Sequence, residues 1–306
     1  MIGGAMECAL ERGLFDQEVV DEELPADVNR NDFRRIDQIR RRDWATGQGV
    51  TIGPNGNLFV GNEGGYSVLQ YDPFTGAFIN TFAVTTKSAG PIAFGADGNL
   101  YVGEGETVRR YDGTTGILID TFASGQGMSS ASGIAFDASG NLYVSDGVMG
   151  FVNKFDSTGA FVSTFVSGNP AFANGAGPLL FKGTTLLVAA TFGNGPTWGN
   201  SILAFDSTGA SLGNFISDAN LDGPAGMAFG PDGNFYVVNY AGGNVVRYTG
   251  GGSFVDTFIP NNPGAGRFIA FGPDAVVGAT GVPEPGSVGL AGLGLLGLVV
   301  HFRRRR

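Results

Sequence analysis

Apolar and polar positions alternate along this chain in short bursts, and the bursts repeat. In PIAFGADGNLYVGE (Pro91–Glu104), Ile92 and Phe94 lead into the polar turn Ala96-Asp97-Gly98-Asn99, and Leu100–Val102 follow. Strand-length apolar runs on either side of Asp-Gly or Asn-Gly predict a tight hairpin, because those residues tolerate the positive φ of its turn. Asn55-Gly56, Ser139-Gly140 and Asp232-Gly233 occupy the same point in other copies. A second hairpin follows each first one, as in VRRYDGTTGILIDTF (Val108–Phe122) and VNKFDSTGAFVSTF (Val152–Phe165). Its turn is built on Asp, Thr and Gly. The Asp and Thr side chains can bond nearby N–H groups there, and Gly takes the strained position.

The first half recurs as GVTIGPNGNLFVGN, PIAFGADGNLYVGE, GIAFDASGNLYVSD, PLLFKGTTLLVAA, GMAFGPDGNFYVVN and FIAFGPDAVVGAT. Anchored on Ile52, Phe94, Phe136, Phe181, Phe229 and Phe271, the spacings are 42, 42, 45, 48 and 42. One four-stranded sheet of that size cannot bury its faces alone, so the units must stack. A period in the low forties with four strands per unit is the pattern of a propeller blade. The expected fold class is therefore all-β, a β-propeller of four-stranded blades.

Five complete units run from about Gly49 to Pro260, and the sixth copy, Phe268–Ala279, has only its first half. DFRRIDQIRRRDW (Asp32–Trp44) resembles a second half. This predicts six blades, the last closed by N-terminal strands, which would leave no free sheet edge. Seven blades or an open ring are the alternatives. The chain divides into an acidic segment at 1–31, disordered or a short helix, a propeller at 32–281, and a tail at 282–306. The unit IAFDASGNLYVSD…VNKFD…F resembles the NHL-type repeat of β-propellers. That resemblance implies the fold and leaves the activity open, because such propellers include binders, scaffolds and several enzyme classes.

The tail reads VPEPGSVGLAGLGLLGLVVHFRRRR. Gly286–Phe302 carries no formal charge over 17 residues and ends on Arg303, Arg304, Arg305 and Arg306. That length is near the minimum for a membrane-spanning helix, and terminal arginines act as a stop on the cytoplasmic side. Val282-Pro283-Glu284-Pro285, the apolar run and the arginine cluster together resemble the PEP-CTERM sorting signal. The resemblance implies export, membrane anchoring through the C-terminus, and cleavage near the Pro-Glu-Pro motif by an exosortase-type enzyme. An uncleaved C-terminal anchor is the alternative. The mature protein would then be at the cell surface or extracellular. Met1–Arg30 shows no secretory signal peptide, being acidic and without a continuous apolar core.

Composition narrows the chemistry. The formal charge is −10, with nine acids against Arg12 and Arg30 in residues 1–32. An acidic body lacks the basic footprint that nucleic acid requires. Cys8 is the only cysteine, so no internal disulfide can form. His301 is the only histidine and lies in the tail, which leaves the propeller without a Ser–His–Asp or Cys–His machine. No cofactor is expected.

Two features could carry function. Two residues beyond the Tyr-Val core of successive copies stand Asn62, Glu104, Asp146, Ala190, Asn239 and Ala279. Repeat symmetry places these near one end of the central channel. Asn62, Glu104, Asp146 and Asn239 could bind a ligand there, or bond the backbone of neighbouring loops. The connection Ala190–Ser201 is longer than its counterparts and carries Phe192 and Trp198, so Trp198 could stack on a sugar ring or pack on its own blade. The expected function is an exported, non-enzymatic binding or structural protein, with an extracellular polysaccharide or an envelope protein as partner. The alternatives are a metal-dependent hydrolase or lactonase using the channel carboxylates, and an envelope scaffold that docks other proteins.

Overall fold

The computed structural model describes residues 47–192, 198–260, 267–271 and 298–300. The first blade comprises β1 (Gly47–Ile52), β2 (Leu58–Asn62), β3 (Ser67–Tyr71) and β4 (Phe78–Val84). The second comprises β5 (Ile92–Phe94), β6 (Leu100–Glu104), β7 (Thr107–Tyr111) and β8 (Leu118–Ser124). The third holds β9 (Ala131–Phe136), β10 (Leu142–Asp146), β11 (Val152–Phe155) and β12 (Phe161–Val166). In the fourth are β13 (Leu179–Lys182), β14 (Thr185–Phe192), β15 (Trp198–Phe205) and β16 (Ser211–Ser217). The fifth has β17 (Pro224–Phe229), β18 (Phe235–Asn239), β19 (Asn244–Tyr248) and β20 (Phe254–Ile259). Two short strands remain, β21 (Ile269–Phe271) and β22 (Leu298–Val300).

Each of the five sheets is an antiparallel meander in chain order. The second strands of blades one, two, three and five are buried at every position, whereas the fourth strands expose half or more of theirs. The first strands touch one another from blade to blade around the axis. Burial therefore falls from the inner strands to the outer edge.

The first hairpin is closed by a polar staple. Asp97 accepts from the Asn99 N–H at 3.1 Å, from Asn99 Nδ2 at 2.8 Å and from Tyr101 Oη at 2.9 Å. Asp232 takes the same partners from Asn234 and Tyr236. Asp137 stands two places earlier relative to the Asn, yet still receives Asn141 and Tyr143. The Asp, Asn and Tyr of the repeat are thus one unit: the acid orders the turn and satisfies the phenol as it is buried.

Between blades, aromatic rings interlock. Phe94 meets Phe59 edge-on at 5.0 Å, Phe136 meets Tyr101 at 4.8 Å, and Phe181 meets Tyr143 at 5.0 Å. Such pairs contribute about 0.5–1.5 kcal/mol beyond their buried area. Phe271 of β21 takes the same place against Tyr236 at 5.2 Å. A second interlock uses backbone. Gly116, Gly159 and Gly209 have positive φ in their hairpin turns, and each lies against a carbonyl of the preceding blade, that of Phe82, Phe122 or Phe165.

The expected count of six blades is corrected to five four-stranded blades among the described residues. The sixth copy contributes β21, which touches β17 on one side and β1 on the other. It has the interlocking aromatic but lacks the Gly-Asn of the turn and has no second half after it. In the described residues β21 pairs in parallel with β22 from the tail, Ile269 opposite Leu298 and Phe271 opposite Val300. Asp32–Trp44, expected to complete the last blade, lie outside the described residues.

Of the expected membrane-spanning segment, residues 286–297 and 301–302 lie outside the described residues. Among the described residues no helix is long and apolar enough to cross a membrane, and the described part of the tail is the strand β22.

Candidate functional site

The second strands end, and the first strands begin, at the same end of the propeller, because the two run antiparallel. Ala131 pairs with Asp146 and Pro224 with Asn239 there. The four ring residues all reach this end, but their side chains turn into the protein. Glu104 is fully buried, with Oε2 accepting from the N–H of Thr86 at 2.9 Å and of Lys87 at 3.1 Å. Its other oxygen accepts from Tyr111 Oη. Burial, and then the Glu104 carboxylate, push the Tyr111 phenol well above its ordinary value.

Asp146 is 1% exposed and takes the N–H groups of Ser129 at 2.6 Å, Ser130 at 3.0 Å, Val148 at 2.9 Å and Met149 at 2.7 Å. Burial by itself would raise its pKa. The converging N–H groups outweigh that and hold the carboxyl below the usual carboxylate range. Asn239 Oδ1 accepts from the Asp222 N–H at 3.1 Å while Nδ2 donates to the Asn220 carbonyl at 2.6 Å. Asn62 Oδ1 accepts from the Gly65 N–H at 3.2 Å. In blades two, three and five the ring residue ties the second strand to the connection arriving from the blade before. Among the described residues, no three His, Cys, Asp or Glu side chains converge.

One residue further along the chain, two of the blades present side chains to a cleft. Gly147, Thr191 and Tyr240 follow the ring positions 146, 190 and 239. Thr191 and Tyr240 line a cleft of about 110 Å³ together with Ser132, Pro178, Trp198 and Arg267. The framework is rigid. Thr191 Oγ1 donates to the Pro224 carbonyl at 2.6 Å and Ser145 Oγ to the Gly177 carbonyl at 2.7 Å, joining adjacent blades. A cleft of this size is well below the roughly 300 Å³ of a pocket that engulfs a drug-sized ligand. It suits one ring or one substituent of a larger molecule.

Trp198 reaches across to the fifth blade. Its ring meets Tyr240 at 5.1 Å with an interplanar angle of 70°, and 40% of the residue remains exposed. The long connection of the fourth unit proves to be largely strand, since Phe192 pairs with Trp198 across the extended hairpin. That extension carries the indole beyond its own blade and over the cleft. Of the sequence-predicted residues, Trp198 alone lines it. Tyr240 and Arg267 were not anticipated. The available signal was that Tyr240 is the one aromatic among Glu63, Gly105, Gly147, Thr191 and Tyr240, the residues next to the ring positions.

Comparisons with known proteins bear on two parts of the chain. Residues 281–306 match the PEP-CTERM protein-sorting motif, so the chain carries an export-associated C-terminal sorting signal. No curated protein matches the chain in a sequence comparison. Among solved structures, a virginiamycin B lyase from Staphylococcus aureus is similar at a TM-score of 0.58. Its identity is 14%, over 74% of this chain and 75% of that one. A gluconolactonase from Xanthomonas campestris matches at a TM-score of 0.58 and 18% identity, over 75% and 80% of the two chains. The calcium-binding protein regucalcin from Agrobacterium tumefaciens matches at 0.55 and 16%, over 74% and 78%. At these identities the likeness shows the propeller fold alone.

Proposed function

We propose that this protein is an exported, non-enzymatic propeller that binds a saccharide at the Trp198–Tyr240 cleft. The observation that carries the reading is the half-exposed indole held edge-on by a second aromatic over a small, mainly apolar cleft with a few polar groups at its wall. An aromatic face buries the C–H face of a sugar ring, while the Thr191 hydroxyl oxygen and the Arg267 guanidinium at the cleft can meet its hydroxyls. The lyase and lactonase neighbours share the fold, but the ring carboxylates here are bonded into loops. The lyase neighbour is inactivated by replacing a histidine, and the propeller of this chain has none.

Calorimetric titration of neutral and acidic oligosaccharides tests the reading. At least one series should bind, and Trp198→Ala should weaken it by about tenfold or more, as expected for losing a stacking platform worth roughly 1–3 kcal/mol. Unchanged affinity in the variant would remove the cleft from the reading.

The tail is proposed to be cut by an exosortase-type enzyme near Val282-Pro283-Glu284-Pro285, leaving the propeller at the surface. Intact mass of the protein from its host, fraction by fraction, checks this. The surface form should end close to Pro285. A full-length surface form would instead mean a permanent anchor.

A further inference from the structure

The saccharide reading leaves the charge of the ligand open, and Arg267 addresses it. We infer that Arg267 selects carboxylated saccharides, so that the cleft reads an acidic sugar by its ring and its anion together. The inference rests on the saccharide reading and narrows it.

Arg267 stands two residues before the start of β21 and lines the cleft. Its guanidinium carbon lies 4.6 Å from the centroid of the Tyr240 ring, and Nη2 donates to Tyr240 Oη at 3.1 Å. The same tyrosine holds Trp198 edge-on at 5.1 Å. Tyr240 thus sets the spacing between indole and guanidinium, a span no greater than the sum of those two separations. One or two pyranose rings cover it. A uronic acid stacked on the indole would place its carboxylate within reach of the remaining N–H donors of the guanidinium, which suit bidentate pairing.

Among the described residues the other arginines each face a carboxylate, Arg109 meeting the buried Glu104 at 3.7 Å. Arg110 is paired with Asp120 and Arg247 with Asp256, both across neighbouring strands. Among the described residues no carboxylate pairs with Arg267. A guanidinium oriented by an aromatic ring, in a chain of net charge −10, is then held ready for an anion from outside.

The test uses uronate trisaccharides and their methyl esters, in which the charge is removed at the cost of one methyl group, titrated into the whole protein and its variants. The wild type should bind at least one acid about tenfold more tightly than its ester, from a charge-assisted hydrogen bond. That gap should narrow with added salt as the pair is screened. Arg267→Gln should abolish the gap by weakening the acid alone, and Arg267→Lys should keep part of it. Equal binding of acid and ester by the wild type overturns the inference while the saccharide reading stands. A gap that survives in Arg267→Gln overturns it as well. Binding of neither acid, ester nor neutral sugar overturns both. Because acid and ester are first compared on the wild type, the result does not depend on the variants folding.

Discussion

Replacing Gly116 by alanine should lower stability by about 3 kcal/mol or more, whereas the same change at Gly98 should cost about 1 kcal/mol. Both residues have positive φ, +72° and +79°, so both changes place an L side chain in the left-handed region. They differ in what the new methyl meets. At Gly98 there is nothing within 4 Å. At Gly116 the methyl would run into the carbonyl oxygen of Phe82, backbone belonging to the preceding blade. That atom can give way only if two blades separate, and separation would loosen the aromatic interlock of Phe94 on Phe59. For a domain of this size, about 3 kcal/mol corresponds to a fall of roughly 6–12 °C in Tm. Thermal unfolding of the two variants side by side decides the matter. Equal, small losses would show that the blades do not approach so closely.

Asp146→Ala should be comparably damaging, by about 3–4 kcal/mol, because four N–H groups would lose their shared acceptor in a buried place. Asp146→Asn keeps an acceptor oxygen and should cost less. The charge adds a pH signature. The unfolded carboxyl takes up its proton near the ordinary value of about 3.9, while the folded one stays ionised to lower pH. Its contribution is therefore complete above the unfolded value and is lost as pH falls through the lower, folded value. Asp97 and Asp137 are depressed in the same direction, the N–H, amide and phenol donors around them outweighing burial. Wild-type Tm should fall steeply below about pH 4, and Asp146→Asn should show a shallower fall. A variant with the wild-type slope would mean that Asp146 is not the anchor of this connection.

Most of the architecture was legible because a repeat states its own solution several times. Asp97, Asn99 and Tyr101 form one staple, and the same letters at Asp232, Asn234 and Tyr236 form it again. The blade count was overestimated for a local reason. Phe271 continues the inner pattern faithfully, but the sequence after it lacks the Gly-Asn that turns the hairpin in most other copies, so a copy of the motif is not a blade. The tail motif was equally legible, since its proline, apolar and arginine parts are local in sequence.

The candidate site was displaced by one residue. Asn62, Glu104, Asp146 and Asn239 stand at the expected end, yet strand side chains alternate, so neighbours face opposite ways. The ring positions turn to their connections, and of the residues that follow them Thr191 and Tyr240 line the cleft. No pattern in one strand tells which of two adjacent positions faces out, because the answer depends on where the preceding blade's connection lies.

By itself, then, the sequence determined what is local and repeated: strand length, turn type, the Asp–Asn–Tyr staple, the sorting motif and the stacking of four-stranded units. Only the tertiary structure decided what lies between units. It brought Trp198 of the fourth blade, Tyr240 of the fifth and Arg267 before β21 to one cleft, and set Gly116 against Phe82. The physical reason is that hairpins are fixed by neighbours along the chain, whereas these contacts depend on how twisted sheets settle against one another around an axis.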